Sequence, residues 1–419
     1  MEPTQKTPHW TLRMAQRYLK TDLQYLLKGS AWLMIGQLIV ALCGFVLALI
    51  FARYASAELY GNYRYVTAIA GILCIASLGG VNIALSQAVA QHHEGTFFTA
   101  LKKKISWGLV GGLASLALGI YYYLLGNTSL AFGFLIIAPF IPFHESFSLY
   151  IAVLQGRTRF DLSVLYVSLS QIIGLVVLIG AILTNANLNI ILLAYFVPWL
   201  VTQILFTKLS FTKNPLNTST SPETIPAGIH ISLINILPLI TQQVDKVLLF
   251  VYAGPAQLAI YSFAVIIPDQ IKMFLKSLQS IILPKFATKT HGEIHQSVLA
   301  KMLGTLILLV LLTLVYWIIA PFFYEYFFPQ YTESVWYSQI YGISFIAAAL
   351  VLPYTMLQAK LATRELYQAN TASSLIQIGL MCGGIFYFGI LGLILGRTIS
   401  EFLSLGILML LAKKIAQKS

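Results

Sequence analysis

Long apolar stretches recur along the whole chain, and they constrain the fold more than any other feature. Runs of roughly 20 apolar residues can cross about 30 Å of hydrocarbon as α-helices, at about 1.5 Å per residue. Apolar residues make up 58% of the chain and charged residues only 10%, against about 45–50% and about 25% in soluble domains. The sequence therefore predicts an all-α membrane protein. Twelve runs occur, at 29–51, 66–89, 105–125, 131–154, 162–183, 188–211, 228–251, 258–283, 298–320, 336–357, 369–388 and 390–411.

The positions of the basic residues predict the orientation of these helices. Of 26 Lys and Arg residues, 20 lie in or beside alternate gaps, two (Arg53 and Arg64) lie in the other gaps, and four lie inside the runs. Because cytoplasmic loops carry the excess of Lys and Arg, this bias predicts that both termini are cytoplasmic. The net charge of +12 is spread over every cytoplasmic gap. It therefore indicates contact with anionic membrane lipids and not with nucleic acid.

The chain contains an internal repeat. The segment 54–57 and Tyr63 match the segment 252–255 and Tyr261 at a constant offset of 198 residues, and 154–159 parallels 357–364. Because each half has an even number of runs, the pseudo-two-fold axis should follow the membrane normal, with the substrate path between the halves. We predict two pseudo-symmetric six-helix bundles, with an amphipathic segment at 1–28, lobes at 29–211 and 227–412, a solvated linker at 212–226 and a tail at 413–419.

Ionisable residues inside the apolar runs are candidates for function. A charge at the bilayer centre costs on the order of 2.5–3.5 kcal/mol, so it must face a cavity or a partner. Two groups share one helix face: Asp269, Lys272 and Lys276 at i, i+3, i+7, and the i, i+4 pair of Arg397 and Glu401. The whole set is His144, Glu145, His230, Asp245, Lys246, Asp269, Lys272, Lys276, Arg397 and Glu401.

These charges allow two interpretations. Either they line a wet, partly cationic lumen that receives an anionic group, or Asp269–Lys272 and Arg397–Glu401 are self-neutralising pairs. Lys276 has no acid one turn away, so it is the better candidate to meet a phosphate. Adjacent side chains on a helix diverge by about 100°, which is expected to separate Asp245 from Lys246.

Two further sites remain open between functional and structural roles. Glu145 is a candidate proton or sodium site, or else a hydrogen-bonding partner within the first half. Arg53 and Arg64 bracket the first outer gap, where they serve as anchors or as gating and phosphate contacts.

Motifs of enzymes and metal proteins are missing from the sequence. No glycine-rich nucleotide-binding loop occurs, so transport would be driven by an ion or substrate gradient. His291 and His295 have no third ligand, so no metal or other cofactor is predicted beyond possible H⁺ or Na⁺ coupling. The three cysteines all fall inside apolar runs, and we expect no disulfide. The sequence favours a transporter over an enzyme.

Short motifs resemble those of polysaccharide and O-antigen flippases. Residues 52–54 and 58–63 are similar to the first-hairpin pattern of that family, as are 245–249, 261–263 and 283–286 in the second half. The resemblance implies membership of the multidrug/oligosaccharidyl-lipid/polysaccharide exporter superfamily, with a MATE-like fold. It also implies that the chain moves undecaprenyl-pyrophosphate-linked sugar repeat units across the bacterial inner membrane by alternating access, for O-antigen, capsule or other surface polysaccharide.

The resemblance also implies a cationic central cavity. The second half supplies Lys246, Lys272, Lys276 and Arg397, whereas the first half offers only Arg53 and Arg64 at its outer rim. Glu145, Asp245, Asp269 and Glu401 are possible ion-coupling groups or structural partners. The implied partners are the lipid-linked glycan, membrane lipids, and the polysaccharide polymerase and chain-length machinery.

Two other functions are weighed against the flippase. A multidrug exporter of the same superfamily would need an acidic cavity with carboxylates in the first half, where only Glu145 qualifies. A membrane glycan polymerase or ligase commonly has a large outer loop with catalytic Arg or His. The longest outer gap, 321–335, contains neither residue.

Overall fold

The computed structural model describes residues 23–212, 214–277, 291–350, 353–355, 357 and 363–418. Side chains in this part are described except for 23–28, 30, 276, 277, 291–303, 350, 363 and 414–418. Helix accounts for 89% of the structure, and the described residues contain no strand. The predicted all-α fold class is therefore confirmed. Most of the predicted amphipathic segment at 1–28 lies outside the described residues.

The helices are interrupted by short turns and by three 3₁₀ segments, Cys74–Ser77, Pro329–Tyr331 and Ile343–Leu350. Polar side chains cap several helix starts: Ser56 accepts a hydrogen bond from the Leu59 amide at 3.2 Å, and Asn127 accepts one from Leu130 at 3.1 Å. In chain order the helices are α1 (Leu23–Tyr54), α2 (Ala57–Leu73), α3 (Gly80–Ala90), α4 (Thr96–Leu124), α5 (Thr128–Ile137), α6 (Ile141–His144), α7 (Leu149–Gly156), α8 (Phe160–Leu183), α9 (Leu188–Thr212), α10 (Thr224–Ser277), α11 (His291–Phe327), α12 (Ser334–Gly342) and α13 (Thr363–Lys418).

The helices identify a multi-pass membrane protein. Among the described residues, seven helices are long and apolar enough to cross a membrane, and two bent helix pairs raise the number to nine if each pair is one span. Large apolar side chains such as Leu113, Ile318 and Phe386 are about two-thirds exposed, as expected for surfaces that face lipid. The count of twelve spans and the side on which the termini lie stay predictions.

The two longest helices, α10 and α13, turn back on themselves. Each contains a glycine with positive φ, 82° at Gly254 and 58° at Gly389, which glycine adopts without steric cost. In α13 the backbones of Gly384 and Gly392, on either side of the turn, lie in direct contact. Each helix is therefore a hairpin of two arms, at 224–253 and 255–277 in α10 and at 363–388 and 390–418 in α13.

We call helices α1–α9 the first lobe and α10–α13 the second, following the predicted halves of the chain. In the first lobe α1 and α9 pack on α8, and α4 packs on α5; in the second, α10 packs on α12 and α13. The repeated segments 54–57 and 252–255 form the first turn of each lobe. We call the membrane end that carries these turns the turn face, and the opposite end, where the chain passes from α9 to α10, the linker face.

The lobes meet along an inter-lobe seam, where α2 and α3 follow the first arm of α10. At the turn face, a Cβ on Gly61 would collide with the Pro255 carbonyl; at the linker face, a Cβ on Gly80 would lie 2.6 Å from the Gly228 carbonyl oxygen. Between these points the ring of Tyr65 stacks on Phe250 with centroids 3.8 Å apart. Only glycine permits such backbone approach, so the seam is closed at both faces.

The linker between the lobes is bound to the first lobe. Arg157 donates from Nε and Nη2 to the two carboxylate oxygens of Glu94, at 2.6 and 2.7 Å. The same guanidinium donates to the carbonyls of Asn214 at 2.8 Å and Pro215 at 3.1 Å. The backbone N–H of Glu94 donates to Asn217 Oδ1, and the backbone N–H of Asn217 donates to Glu94 Oε2, both at 3.1 Å. These bonds fix the start of the linker on the loop that joins α3 to α4.

The solvated linker predicted at 212–226 is thus also an anchored one. Most of its described residues are exposed, but Ser219 accepts a bond from the Gly95 amide at 2.9 Å, and the Ser221 amide donates to Thr96 Oγ1 at 2.9 Å. Helix α10 begins at Thr224. The hydrogen bonds that anchor the linker to the first lobe therefore extend as far as Ser221. The Asn- and Ser-rich sequence predicted exposure but not the partners of its polar groups.

We expect Glu94→Gln to weaken this anchor and to change the response of the fold to acid. The hydrogen bonds from Arg157 lower the pKa of Glu94. The ion pair therefore stabilises the protein above the ordinary glutamate pKa of about 4.3, and that stabilisation is lost as pH falls through the lowered value. At pH 7 the variant should lose about 1–3 kcal/mol; below pH 4 it should approach the wild type. Thermal unfolding in detergent, at pH 7 and below pH 4, measures the stability difference between variant and wild type at each pH.

Asp161→Asn is the matched control. Asp161 also accepts a two-pronged bond from an arginine, Arg159, but both side chains are more than 40% exposed. Exposed pairs contribute about 0–1 kcal/mol. Equal effects of the two substitutions at pH 7 would contradict an anchoring role for Glu94.

Candidate functional site

A buried carboxylate organises the polar centre of the second lobe. Asp245, on the first arm of α10, has a side chain that is only 2% exposed. Tyr261, on the second arm, donates its hydroxyl to Asp245 at 2.6 Å, and Arg397 of α13 donates Nη1 at 3.0 Å. The turn at Gly254 places the two arms side by side and so brings Tyr261 opposite Asp245. A buried charge is tolerated only with such partners.

Arg397 joins this carboxylate to a second one. Its Nη2 donates to both oxygens of Asp269 at 3.1 Å, while Nη1 also donates to the Tyr261 hydroxyl at 3.0 Å. The guanidinium lies 4.7 Å from the ring centroid of Tyr341 on α12. The planar guanidinium suits this fork geometry, which a lysine could not reproduce. Arg397 therefore ties both arms of α10 to α12 and α13.

Lys272 completes the network on its linker-face side. Its ammonium lies 2.8 Å from Glu401 and 3.5 Å from Asp269, and it also contacts the Tyr341 hydroxyl. That hydroxyl donates to Asp269 at 2.7 Å. Lys272 is buried and fully paired, so within the resting network it is not a free cation.

The expected pair of Arg397 with Glu401 is wrong. Arg397 binds Asp245 and Asp269, and Glu401 binds Lys272, so both residues of α13 reach across to α10. Spacing along one helix revealed the shared face but not the acids on the neighbouring hairpin. The expected i, i+3 contact of Asp269 with Lys272 is present.

The expected separation of Asp245 and Lys246 is also wrong. The Lys246 ammonium returns to Asp245 at 3.3 Å and donates to the Gln242 carbonyl at 2.9 Å and to Gln243 Oε1 at 3.2 Å. Its flexible four-carbon stem overcomes the divergence of the Cα–Cβ bonds. Lys246 is nonetheless near the surface of its lobe, facing the seam.

Arg64 is the cation of the first lobe at this seam. It lies in the second turn of α2, not in the outer gap where the sequence placed it, since that gap spans only residues 55 and 56. Its Nε is buried without a hydrogen-bond partner, and no ion pair joins Arg64 to the described residues. Tyr60, Tyr63 and Tyr195 surround it, and its charge interacts with those of Asp245 and Lys246.

Two other predicted cations do not join this centre in the structure. Arg53, at the last turn of α1, is exposed at the turn face and has no ion pair with the described residues. Lys276 lies beyond the described side chains, so its predicted contact with a phosphate stays a prediction.

The centre has unequal charge. Asp269 keeps 38% of its side-chain surface exposed and Glu401 23%, although both lie within membrane-spanning helices. The described residues contribute four cations and three carboxylates: Arg64, Lys246, Lys272, Arg397, Asp245, Asp269 and Glu401. The excess positive charge falls on Arg64, the member without a partner.

A second polar cluster lies inside the first lobe. Glu145 is 36% exposed and lies 3.5 Å from His144 Nδ1. The His144 ring stacks on Trp199 with centroids 3.9 Å apart and an interplanar angle of 9°. Glu145 is therefore a partly exposed carboxylate with two basic neighbours, His144 and Lys104, which keeps both of its predicted roles open. Among the described residues, no three His, Cys, Asp or Glu side chains gather as a metal site would require.

Lys104 is a buried charge that the charge count of the sequence placed in a cytoplasmic gap. Its side chain is 0% exposed, its ammonium donates to Asn82 Oδ1 at 2.6 Å, and its charge interacts with that of Glu145. The sequence does contain a signal for the burial of Lys104, namely the helical spacing of its neighbours. Phe97, Ala100, Lys104, Gly108 and Gly111 follow the i, i+3, i+4 spacing of one buried face.

A comparison with family sequences identifies the family to which the chain belongs. A profile of the polysaccharide biosynthesis protein family matches residues 26–290, more than half of the chain. The chain belongs to this family. The predicted resemblance to proteins of polysaccharide biosynthesis is therefore confirmed. A comparison with curated proteins gives no significant sequence match.

Solved structures show which fold this family member adopts. The lipid II flippase MurJ, in an inward closed conformation, gives a TM-score of 0.68 at 14% identity, covering 90% of this chain and 86% of that chain. An outward-facing multidrug resistance MATE family transporter of the MOP superfamily gives 0.63 at 14% identity, covering 98% and 99%. A MATE transporter of Vibrio cholerae gives 0.59 at 15% identity, covering 96% and 99%. The predicted MATE-like fold is confirmed.

We expect Gly61→Ala to open the seam at the turn face, because its Cβ would collide with Pro255. Cys74 is buried inside the first lobe, and its reaction with a maleimide measures the opening. Cys43 and Cys382 are replaced by Ser so that they do not react. The rate of maleimide labelling of Cys74 should rise several-fold.

Gly174→Ala serves as the control, since a Cβ at Gly174 meets nothing within 4 Å. If both variants fold and label at the same rate, the seam does not depend on close approach at Gly61.

Proposed function

We propose that this protein is a flippase for undecaprenyl-pyrophosphate-linked oligosaccharide repeat units in the bacterial inner membrane. Family membership and a fold shared with a lipid II flippase support a lipid-linked substrate. A sugar-pyrophosphate head cannot cross hydrocarbon unaided, since moving charges and hydroxyls out of water without partners is costly. Its polyprenyl tail can remain in lipid while two lobes carry the head by alternating access.

The observation that carries the proposal is the pair of cations on opposite sides of the seam. Arg64 lies on α2 and Lys246 on the first arm of α10, the two helices that face each other across the seam beside the stacked rings of Tyr65 and Phe250. Like charges in a site of low dielectric repel strongly, so an anion between them would be stabilised by both. A pyrophosphate, with several negative charges, fits this requirement better than a neutral or cationic substrate.

The carboxylates of the second lobe would neutralise the cations of the site while no substrate anion is bound. With the site empty, Asp245 accepts hydrogen bonds from Lys246, Arg397 and Tyr261. Lys246 lies at the edge of the network, and an arriving phosphate would displace Asp245 from it. Arg397 would keep its hydrogen bonds to Asp269. The empty carrier could then return without four uncompensated cations in the membrane.

A multidrug exporter for cationic compounds shares the fold but fits the charges less well. The accessible acid of the first lobe, Glu145, has His144 and Lys104 as basic neighbours. The centre at the seam has an excess of positive charge, which would repel a cation. Export of a cationic dye, with no flipping of lipid-linked glycan, would favour this alternative.

We expect Arg64→Gln to slow flipping of a lipid-pyrophosphate glycan in proteoliposomes by roughly 10- to 100-fold. A hydrogen bond to a charged group contributes about 1.5–3 kcal/mol, and about 1.4 kcal/mol corresponds to a factor of ten. Arg64→Lys should retain an intermediate rate, because it keeps the charge but loses the planar fork.

Arg53→Gln is the matched control, since it removes one arginine from the same hairpin at an exposed position. It should leave the flipping rate near that of the wild type. Wild-type flipping by Arg64→Gln, or equal losses in both variants, would exclude the seam as the site of pyrophosphate binding.

We also propose that Glu145 couples transport to an ion. Glu145→Gln should alter the dependence of flipping on pH or on sodium, because the amide cannot bind a proton or attract a cation at this accessible position. Flipping rates over a pH series, in sodium and in potassium, measure the effect. Glu58→Gln, at an exposed acid of the turn face, is the control; identical profiles for wild type and Glu145→Gln would leave Glu145 a structural partner of His144.

A further inference from the structure

Two apolar segments of the first lobe are broken helices, and both breaks lie against α4. The paired helices within 57–90 bend by 47°, and those within 128–156 bend by 43°. A Cβ on Gly108 of α4 would lie 2.8 Å from Ser77 Oγ, beside the first break, and 2.7 Å from the Cα of Pro142, beside the second. Irregular backbone at membrane depth is tolerated only where protein buries it or where it lines a cavity. The glycine face of α4 is therefore where the two breaks meet.

Lys104 lies at this junction, one helical turn before Gly108 on the same face of α4. Its side chain is fully buried, and its ammonium donates to Asn82 Oδ1 at 2.6 Å. Asn82 Nδ2 donates to Ser148 Oγ at 3.3 Å, and that hydroxyl donates to the backbone carbonyl of Glu145 at 2.7 Å. Asn82 belongs to the first broken segment and Ser148 to the second. A chain of hydrogen bonds thus joins the ammonium, through one side chain of each broken segment, to the backbone of Glu145.

The Lys104 ammonium needs a counter-charge, and Glu145 is the carboxylate that provides it. Within the described residues, Nζ makes a single hydrogen bond, to a neutral amide oxygen. A buried charge is tolerated only when an opposite charge compensates it, and the charge of Glu145 acts on Lys104. The other titratable groups beside Glu145 are His144, at 3.5 Å, Cys74 and Tyr195. The described part of this junction therefore combines one carboxylate with one permanently placed cation.

We propose that the Lys104 ammonium supplies to Glu145 the positive charge that a sodium ion would otherwise bring, so that this junction binds no sodium while Lys104 is present. Broken helices within the membrane commonly form the sites of coupling ions in transporters. A sodium ion on Glu145 would lie near a second cation, in an interior of low dielectric where like charges repel strongly. This inference rests on the coupling role proposed for Glu145, and it narrows the coupling ion to a proton.

Thermal unfolding of the purified full-length protein in detergent tests the proposal without measuring transport. Melting temperatures are compared in sodium chloride and in choline chloride at equal ionic strength. The wild type should melt at the same temperature in both salts. Lys104→Gln removes the charge but keeps a donor for Asn82, and sodium should raise its melting temperature by a few degrees. A ligand that binds only the folded state stabilises that state.

Three variants assign the sodium response to this junction. Lys104→Gln combined with Glu145→Gln should not respond, because the carboxylate that would bind sodium is gone. Lys104→Arg keeps the charge and should behave as the wild type does. Lys102→Gln is the matched control, since it removes an exposed lysine from the same helix, and it should not respond to sodium either.

Three results would overturn the proposal. The first is a sodium response of the wild type that Glu145→Gln abolishes, a comparison that does not require Lys104→Gln to fold. The second is a folded Lys104→Gln variant without a sodium response. The third is a response in His144→Gln but not in Lys104→Gln, which would assign the compensating charge to His144.

Flipping assays separate this inference from the coupling role on which it rests. Wild-type flipping that requires sodium would contradict the inference directly. Flipping that depends on neither pH nor sodium would refute coupling through Glu145, whereas a sodium response confined to Lys104→Gln would still show that the ammonium takes the place of the ion.

Discussion

The compensation of buried charge is the constraint on which the second lobe depends. Lys272 and Arg397 lie within membrane-spanning helices, where an isolated cation would be costly. They are tolerated because Asp245, Asp269 and Glu401 come from three different helical arms and meet them in one network. Arg397 has both Asp245 and Asp269 as partners, and Lys272 has both Asp269 and Glu401, so the buried charges are compensated as a network and not in isolated pairs. The same ion pairs therefore decide how α10, α12 and α13 pack and what charge the lobe presents at the seam.

The seam depends on a different constraint, the absence of side chains at its two ends. Gly61 and Gly80 let α2 and α3 approach α10 at backbone distance, where any larger side chain would collide. The anchored linker complements this arrangement. Residues up to Ser221 are hydrogen-bonded to the first lobe, so the linker is fixed to that lobe as far as the start of α10, close to the Gly80 contact.

Periodicity and charge predicted the class of fold, since both reflect what the bilayer demands of each helix separately. The hairpins at Gly254 and Gly389, and the short turn after Tyr54, fall where the apolar runs and the internal repeat indicated. The partners inside the site were less predictable. Which acid neutralises Arg397 depends on how three helices pack, and one sequence contains no direct record of that contact. Lys104 was misplaced for a simpler reason, because the charge count ignored which side of α4 each lysine occupies.

The two lobes contribute to the proposed anion site unequally, and this has a consequence for the order of events. Arg64 has no partner among the described residues, whereas Lys246 is held by Asp245 and two glutamine groups. An anion can bind Arg64 without breaking an existing ion pair, but it can bind Lys246 only by displacing Asp245. In the proposed cycle, contact with the first lobe therefore comes first at little cost. Engagement of the second lobe follows only when the anion has enough charge to replace a carboxylate. A pyrophosphate meets that condition better than a carboxylate or a single sugar hydroxyl, so the asymmetry supports the proposed class of substrate.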